Sequence, residues 1–289
     1  MTMAARRRLK ISHEEWEHFR KLTLMDDDFM NLALEGNIPC VEEMLRVILG
    51  KDDLTVRKVQ TQKFLKGFAR SVYLDVYAVD GEGKLYNIEI QQENEGADPR
   101  RPRFHGAMMD THALKAGQDF KDLPERYVIF ITRNDVLGLG RTAYIIHKYI
   151  EADDEFLPFN DGTHLIYVNC AAKDDGTELW KLIHDLQCED PDEMYFPRLA
   201  ERVKFLKEEE EGKEKMSSYF EEQREKMRTY FEEREKKAVE ATAEATRKDA
   251  EQTFAMKLLQ RGKDTLDEIA ECTGLTLRQV KALAKAAAV

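Results

Sequence analysis

Ser71-Val-Tyr-Leu-Asp-Val-Tyr-Ala-Val-Asp80-Gly-Glu-Gly-Lys-Leu-Tyr-Asn-Ile-Glu-Ile-Gln-Gln92 decides how this 289-residue chain is read. Two β-rich runs flank Gly81-Glu82-Gly83, which is a hairpin signal. A three-residue loop with Gly at the left-handed position sets Asp80 opposite Lys84, Tyr77 opposite Asn87 and Asp75 opposite Glu89. Side chains alternate along a strand, so Leu74, Val76, Ala78, Ile88 and Ile90 share one apolar, core-facing side. The other side brings the carboxylates of Asp75 and Glu89 together and adds Gln91. Directly opposed residues have Cβ atoms about 4.5–5.5 Å apart. Carboxylates that close repel unless a shared proton or a cation relieves them. A divalent metal is the natural relief.

Asp75, then Glu89-Ile90-Gln91 on the next strand, resembles the D…(D/E)xK core of the PD-(D/E)XK nuclease superfamily. In its closest form it is similar to the recombination-promoting nuclease and transposase family, whose third position is Gln. Further blocks carry the same resemblance: Leu24–Met30, Met44–Gly50, Arg70–Asp75, Tyr127–Thr132 and His164–Asn169. A short D…ExQ pattern arises by chance in many hairpins; the ordered set of blocks is far more specific. The resemblance covers roughly the first 205–230 residues. It implies an α/β fold, a central mixed β-sheet flanked by helices, and a metal-dependent DNA endonuclease associated with recombination or transposition. It also implies a metal site of Asp75, Glu89 and the Ile90 carbonyl, which Glu43 on the first core helix would complete. The alternative reading of Glu43 is a solvated helix carboxylate.

Composition limits the other classes. The formal net charge of −11 does not mark a general nucleic-acid binder, so a DNA site must rest on a local basic patch or on metal ions. No apolar run approaches the ~18 residues of a membrane span, and the basic start has no apolar h-region behind it. Cys40, Cys170, Cys188 and Cys272 form no CxxC pair, which fits a reduced, cytoplasmic protein with structural cysteines.

Four segments follow in order: a basic, flexible arm over 1–12, the nuclease-like domain over 13–205, a charged helix over 206–258 and a helical hairpin over 259–289. Ser12 caps a first helix, Asp26–Leu34 forms a second, and Pro39 starts a third over Cys40–Leu49 ended by Gly50. Strands are expected over Leu54–Gln62, on both arms of the hairpin, and over Tyr127–Thr132, Ala143–Tyr149 and His164–Asn169. Asp98-Pro-Arg-Arg-Pro-Arg103 is a polar turn leading into a crossover helix over Phe104–Leu114, and Glu178–Leu186 is a further helix. Over Lys207–Lys248 the residues Met216, Phe220, Gln223, Met227, Tyr230, Arg234 and Ala238 recur at helical spacing. Two readings stay open there: a short coiled coil making a homodimer, or one solvated helix held by i,i+4 ion pairs. Thr265–Glu268 and Thr276–Gln279 are capping boxes around Gly274. They frame either a helix-turn-helix presenting Arg278, Lys281 and Lys285 to DNA, or an ordinary αα-hairpin lacking a third helix.

The resemblance assigns the chemistry. Asp75 and Glu89 would hold Mg²⁺ (or Mn²⁺), with waters and a phosphate oxygen completing the shell. Gln91 stands where the superfamily usually has Lys; an amide orients a water but supplies no positive charge. Arg100, Arg101 and Arg103 downstream would clamp the DNA phosphate. His105 and His112 read as surface or packing residues. The competing function is a nuclease-like binding module without turnover, acting through its helical C-terminal region.

Overall fold

The computed structural model describes residues 13–287, so the basic arm over 1–12 and its Ser12 cap lie outside the described residues. The chain divides into two compact units, residues 1–220 and 221–289.

The first unit is a six-stranded mixed sheet in the order β1(Val56–Leu65), β2(Val72–Asp80), β3(Leu85–Gln91), β4(Arg126–Thr132), β8(Thr163–Asn169), β5(Ala143–Ile146). β1, β2 and β3 form an antiparallel meander, and β3, β4 and β8 run parallel. The parallel strands need a crossover. α4(Arg100–Ala113) supplies it between β3 and β4 and covers one face of the sheet with Met108 and Met109. The other face is covered by α1(His13–Arg20), α2(Asp27–Leu34), α3(Ile38–Leu49), α5(Glu178–Gln187) and α6(Pro197–Glu208). The result is the expected α/β sandwich with a central mixed sheet. β3 sits in the middle and is buried at all seven positions.

The hairpin has the expected register. Tyr77 pairs with Asn87 and Val76 with Ile88, and Gly83 closes the turn at φ +87°. The expected faces hold only in part. Val76, Ala78, Ile88 and Ile90 do pack under the five helices, but Leu74 and Val72 pack on the α4 side. The reason lies in the neighbouring strand. Gln62, which stands between the paired residues Thr61 and Lys63, adopts φ +48°. An L-residue in the left-handed region interrupts the side-chain alternation. Both strands therefore change faces at Gln62 and Asp75: Val59 lies in one core and Leu65 in the other.

Other expectations shift at their ends. The run Ala143–Tyr149 is not one strand: β5 ends at Ile146, and Tyr149–Ala152 starts β6, which pairs with β7(Glu155–Pro158) in a separate two-stranded sheet. Arg100, Arg101 and Arg103 lie inside α4 rather than in a turn before it. The first unit also continues beyond 205. α6 buries Leu199, Val203 and Leu206, and the start of α7(Glu210–Arg261) adds Met216, with Phe220 packed against the same core. The seam expected along α7 is consequently discontinuous, since Met227 and Tyr230 are exposed. Ion pairs such as Glu222–Lys226 and Glu244–Lys248 support the exposed stretch.

In the second unit, α8(Leu266–Thr273) and α9(Leu277–Ala287) form the expected helical pair with both capping arrangements present. The third helix that the hairpin lacked in the sequence reading is the end of α7, within the charged helix expected over 206–258. Its Ala255 and Leu258 share a core with Ile269, Leu275 and Val280. Burying Ile269 holds these three helices together, so Ile269→Ala should cost about 2–5 kcal/mol. Hydrogen exchange should speed up across 255–285 and stay unchanged in the six-stranded sheet. Uniform acceleration across both units would contradict the division.

Candidate active site

The site lies where β2 and β3 separate. Val76 and Ile88 are the last paired residues of the two strands on that side. Beyond them the backbone donors turn to side chains: Asp75 N–H donates to Glu89 Oε1 at 3.2 Å, and Ile90 N–H donates to Asp75 Oδ2 at 3.2 Å. Each carboxylate thus replaces a missing rung of the ladder on the opposite strand. Gln62 Nε2 also donates to Asp75 Oδ1 at 3.3 Å. A strand residue's N–H and C=O point to the same edge. The Ile90 carbonyl therefore lies on the edge that carries Asp75, while Gln91's carbonyl turns the other way and accepts from Arg133 N–H.

Glu89 is fully buried beneath α4. A buried carboxylate needs compensation, and α4 supplies it. Arg101 Nη2 stands 3.5 Å from Glu89 Oε2, and His105 Nδ1 stands 3.2 Å from Oε1. The Asn87 side-chain amide, Nδ2, lies 3.4 Å from the same His105 Nδ1. The histidine is buried and sets its ring edge against Phe130, so it is neither a surface nor a mere packing residue. Arg101 Nη1 donates to Gln91 Oε1 at 2.7 Å and to the Gly96 carbonyl at 3.2 Å. Glutamine brings no charge to this strand position, and the adjacent helix brings one instead.

A third acid approaches from α2. Asp27 stands in its first turn, and its carboxyl is raised above the usual range by burial first, then by Asp28, Asp26 and Glu89, against the opposing pull of Arg101. The sheet holds this helix end in place. Gln92 Nε2 donates to the Met25 carbonyl at 2.8 Å, and Arg133 Nη1 donates to Gln92 Oε1 at 2.9 Å. Asp27 lies within the Leu24–Met30 block, but a run of three aspartates gives no sign of which one couples to Glu89.

Not every expected residue converges. Glu43 is on α3, but its surroundings are Arg198, the N–H groups of Arg198 and Leu199, and Asp185. It closes the start of α6 rather than joining Asp75 and Glu89, and burial raises its pKa. The neighbouring Glu42 binds Val56 N–H and Arg46. Among the three arginines only Arg101 reaches the carboxylates. Arg100 pairs with Asp98, and Arg103 is exposed.

The residues fit a magnesium-type site. Among the described residues no three His, Cys, Asp or Glu side chains are grouped closely enough to hold a metal ion. That excludes a closed zinc-type cage. Mg²⁺, by contrast, keeps several waters and uses one or two carboxylates. Glu89 Oε2 is buried without a hydrogen-bond partner among the described residues, as a donor atom awaiting a cation would be.

Asp75 reports on this directly. Its pKa is raised by burial first, then by the charges of Glu89 and Asp27; Ile90 N–H and Arg101 oppose the rise. Between the ordinary carboxylate pKa and the raised one, the folded protein holds a proton that the unfolded chain has lost. Stability from this group therefore falls as pH rises through that window. Metal-free Asp75→Asn should melt above wild type at neutral pH, by roughly 2–4 °C per kcal/mol of repulsion relieved. The difference should vanish below the ordinary carboxylate range. Mg²⁺ or Mn²⁺ should raise the Tm of wild type and not that of the variant. A variant that melts below wild type at neutral pH, or gains equally from metal, would contradict the site.

No match was found among curated proteins or among solved structures. The family model described as PD-(D/E)XK nuclease family transposase matches residues 34–260, which takes in the sheet, Asp75, Glu89, Gln91 and α4. The chain belongs to the PD-(D/E)XK nuclease family transposases.

Proposed function

We propose that this protein is a metal-dependent DNA endonuclease that hydrolyses phosphodiester bonds in recombination or transposition. The observation that supports this best is the Asp75–Glu89 pair at the parting of β2 and β3, with Arg101 beside it. Asp75, Glu89 and the Ile90 carbonyl would hold Mg²⁺ or Mn²⁺. A divalent ion bound there supplies Lewis-acid polarisation of the phosphate and a more acidic water. His105 would hold Glu89 in place from the α4 side, its Nδ1 3.2 Å from Glu89 Oε1. Gln91 has its amide oxygen occupied by Arg101, so its NH₂ group is left to orient a water or a phosphate oxygen. Arg101 supplies the fixed positive charge that balances the phosphorane. Arg100 and Arg103, farther out on α4, would meet flanking phosphates. Asp27 adds a third negative group beside the pair.

Nicking of supercoiled DNA against Mg²⁺ concentration tests this. Asp75→Ala and Glu89→Ala should abolish cleavage with the fold intact by circular dichroism. Arg101→Ala should lower the rate about 10²–10³-fold, the usual cost of one electrostatic stabiliser, and Gln91→Ala should cost less. Gln91→Lys alone sets two cations side by side and should be slow. Combined with Arg101→Ala it should recover activity relative to Arg101→Ala. Cleavage that survives both EDTA and Asp75→Ala would sink the reading.

A second reading, a DNA-binding role for the C-terminal unit, draws on the third helix found there. Arg278, Lys281 and Lys285 line one exposed face of α9, and no ion pair joins them to a described residue. Self-association along the exposed part of α7 belongs with this reading. Its test is truncation after Phe220, because a cut at Lys207 would remove Met216 from the nuclease core. The truncated chain should lose mass beyond its deleted residues in light scattering; a monomeric full-length chain would rule the dimer out.

A further inference from the structure

Positive charge and exposed aromatic rings coincide where β1 turns into β2. Between Asp53 and Asp75 the sequence carries Arg57, Lys58, Lys63, Lys66 and Arg70 and no acidic residue, in a chain whose net charge is −11. The turn presents Phe68 with a relative exposure of 112%, as bare as a side chain can be. Behind it, Phe64 and Tyr73 face each other across the strands with ring centroids 4.9 Å apart, and both are about half exposed. Lys66 and Arg70 are exposed, and neither forms an ion pair with a described residue.

The tip is built rather than loose. His112 Nε2, in the last turn of α4, lies 2.9 Å from the Lys66 carbonyl. Ser71 Oγ accepts from Gly67 N–H at 3.2 Å. Gly67 passes so close to the Arg70 carbonyl that a Cβ there would collide with it. A fixed turn that holds a phenylalanine in water leaves apolar surface unburied, which marks a contact site.

Its place relative to the carboxylates narrows the partner. Tyr73 precedes Asp75 by two residues on β2, roughly 7 Å along the strand. A DNA strand reaching Asp75 would cross these rings within a few nucleotides. Lysine and arginine would serve any nucleic acid. Three rings with free faces serve bases that have left their stack, since a paired base inside a duplex offers no face.

We propose that the β1–β2 tip binds an unpaired segment of the DNA substrate, with bases stacked on Phe68 and on the Phe64–Tyr73 pair and phosphates held by Lys66 and Arg70. The location of the cut strand rests on the nuclease reading; the binding itself does not. The experiment is fluorescence anisotropy of the full chain in EDTA, using a labelled single strand, a blunt duplex of the same sequence and that duplex with a single-stranded overhang. Wild type should prefer the single strand and the overhang. Phe68→Ala should weaken both about tenfold, within the range for loss of one base–aromatic stack, and leave the blunt duplex nearly unchanged. Phe68→Trp should keep the preference. Lys66→Ala should lower the slope of log affinity against log salt by about 0.7 on the single strand. Equal losses on all three probes, or none on the single strand, would overturn the proposal. So would a fall in mass by light scattering with unchanged DNA binding, because the ring would then serve contact between copies. If Phe68→Ala weakens single-strand binding while wild type cuts no DNA with metal, the nuclease reading fails and the tip site stands. If cleavage is metal-dependent and Phe68→Ala changes neither binding nor cutting, the tip proposal fails alone.

Discussion

A buried carboxylate, Glu89, held beside a half-buried one, Asp75, sets the terms for the rest of the first unit. Such a pair is unfavourable alone, and the fold keeps it by making its oxygens useful. Asp75 and Glu89 accept the backbone N–H groups that β2 and β3 stop exchanging. Breaking the ladder would leave buried donors unpaired; the side chains satisfy them and are fixed in return. Around this point the remaining elements are placed by charge. α4 brings Arg101 and His105 to Glu89, and the Gln92–Arg133 link fastens the start of α2 beside them. The left-handed Gln62 belongs to the same arrangement, because the change of faces falls opposite Asp75, where β2 stays paired with β1 but stops pairing with β3.

Pattern made much of this legible before any coordinates. Alternation and the Gly-Glu-Gly turn gave the hairpin register, which depends on side-chain period and loop length alone. The buried parallel strand β4 is legible as a continuous apolar run over Tyr127–Thr132, and β8 as a strand over His164–Asn169. What stayed hidden was set by contacts between segments far apart in the chain. Glu43 and Asp27 are both acids on helices near the start, and nothing local says which faces the hairpin; packing of α6 against α3 claims Glu43. His105 reads from sequence only as a surface or packing residue, because α4 has a weakly amphipathic sequence and its buried neighbour Glu89 arrives from a strand. The left-handed turn at Gln62 carries no Gly or Asn to announce it. The third helix of the C-terminal unit lies inside a long charged run whose middle is solvated and whose last turns are not.

Charge is where the sequence misleads most and the structure corrects most. A net charge of −11 describes the chain as a whole. Salt screens exposed charges beyond about 8–10 Å, so a phosphate responds to the groups beside it and not to the sum. At the carboxylate pair the neighbour is Arg101, which approaches both Gln91 and Glu89 and so stands where a lysine on the strand would otherwise place its charge. Moving that charge from strand to helix has a physical consequence. A lysine on β3 would be fixed by the sheet, whereas Arg101 is fixed by the position of α4 and by its bonds to Gln91 and Gly96. Charge balance at the site therefore depends on α4 remaining docked through its Met108 and Met109 in the core that also holds Phe130. The helix that closes the sandwich and the group that balances the site are one element, so loosening the packing would also remove the charge.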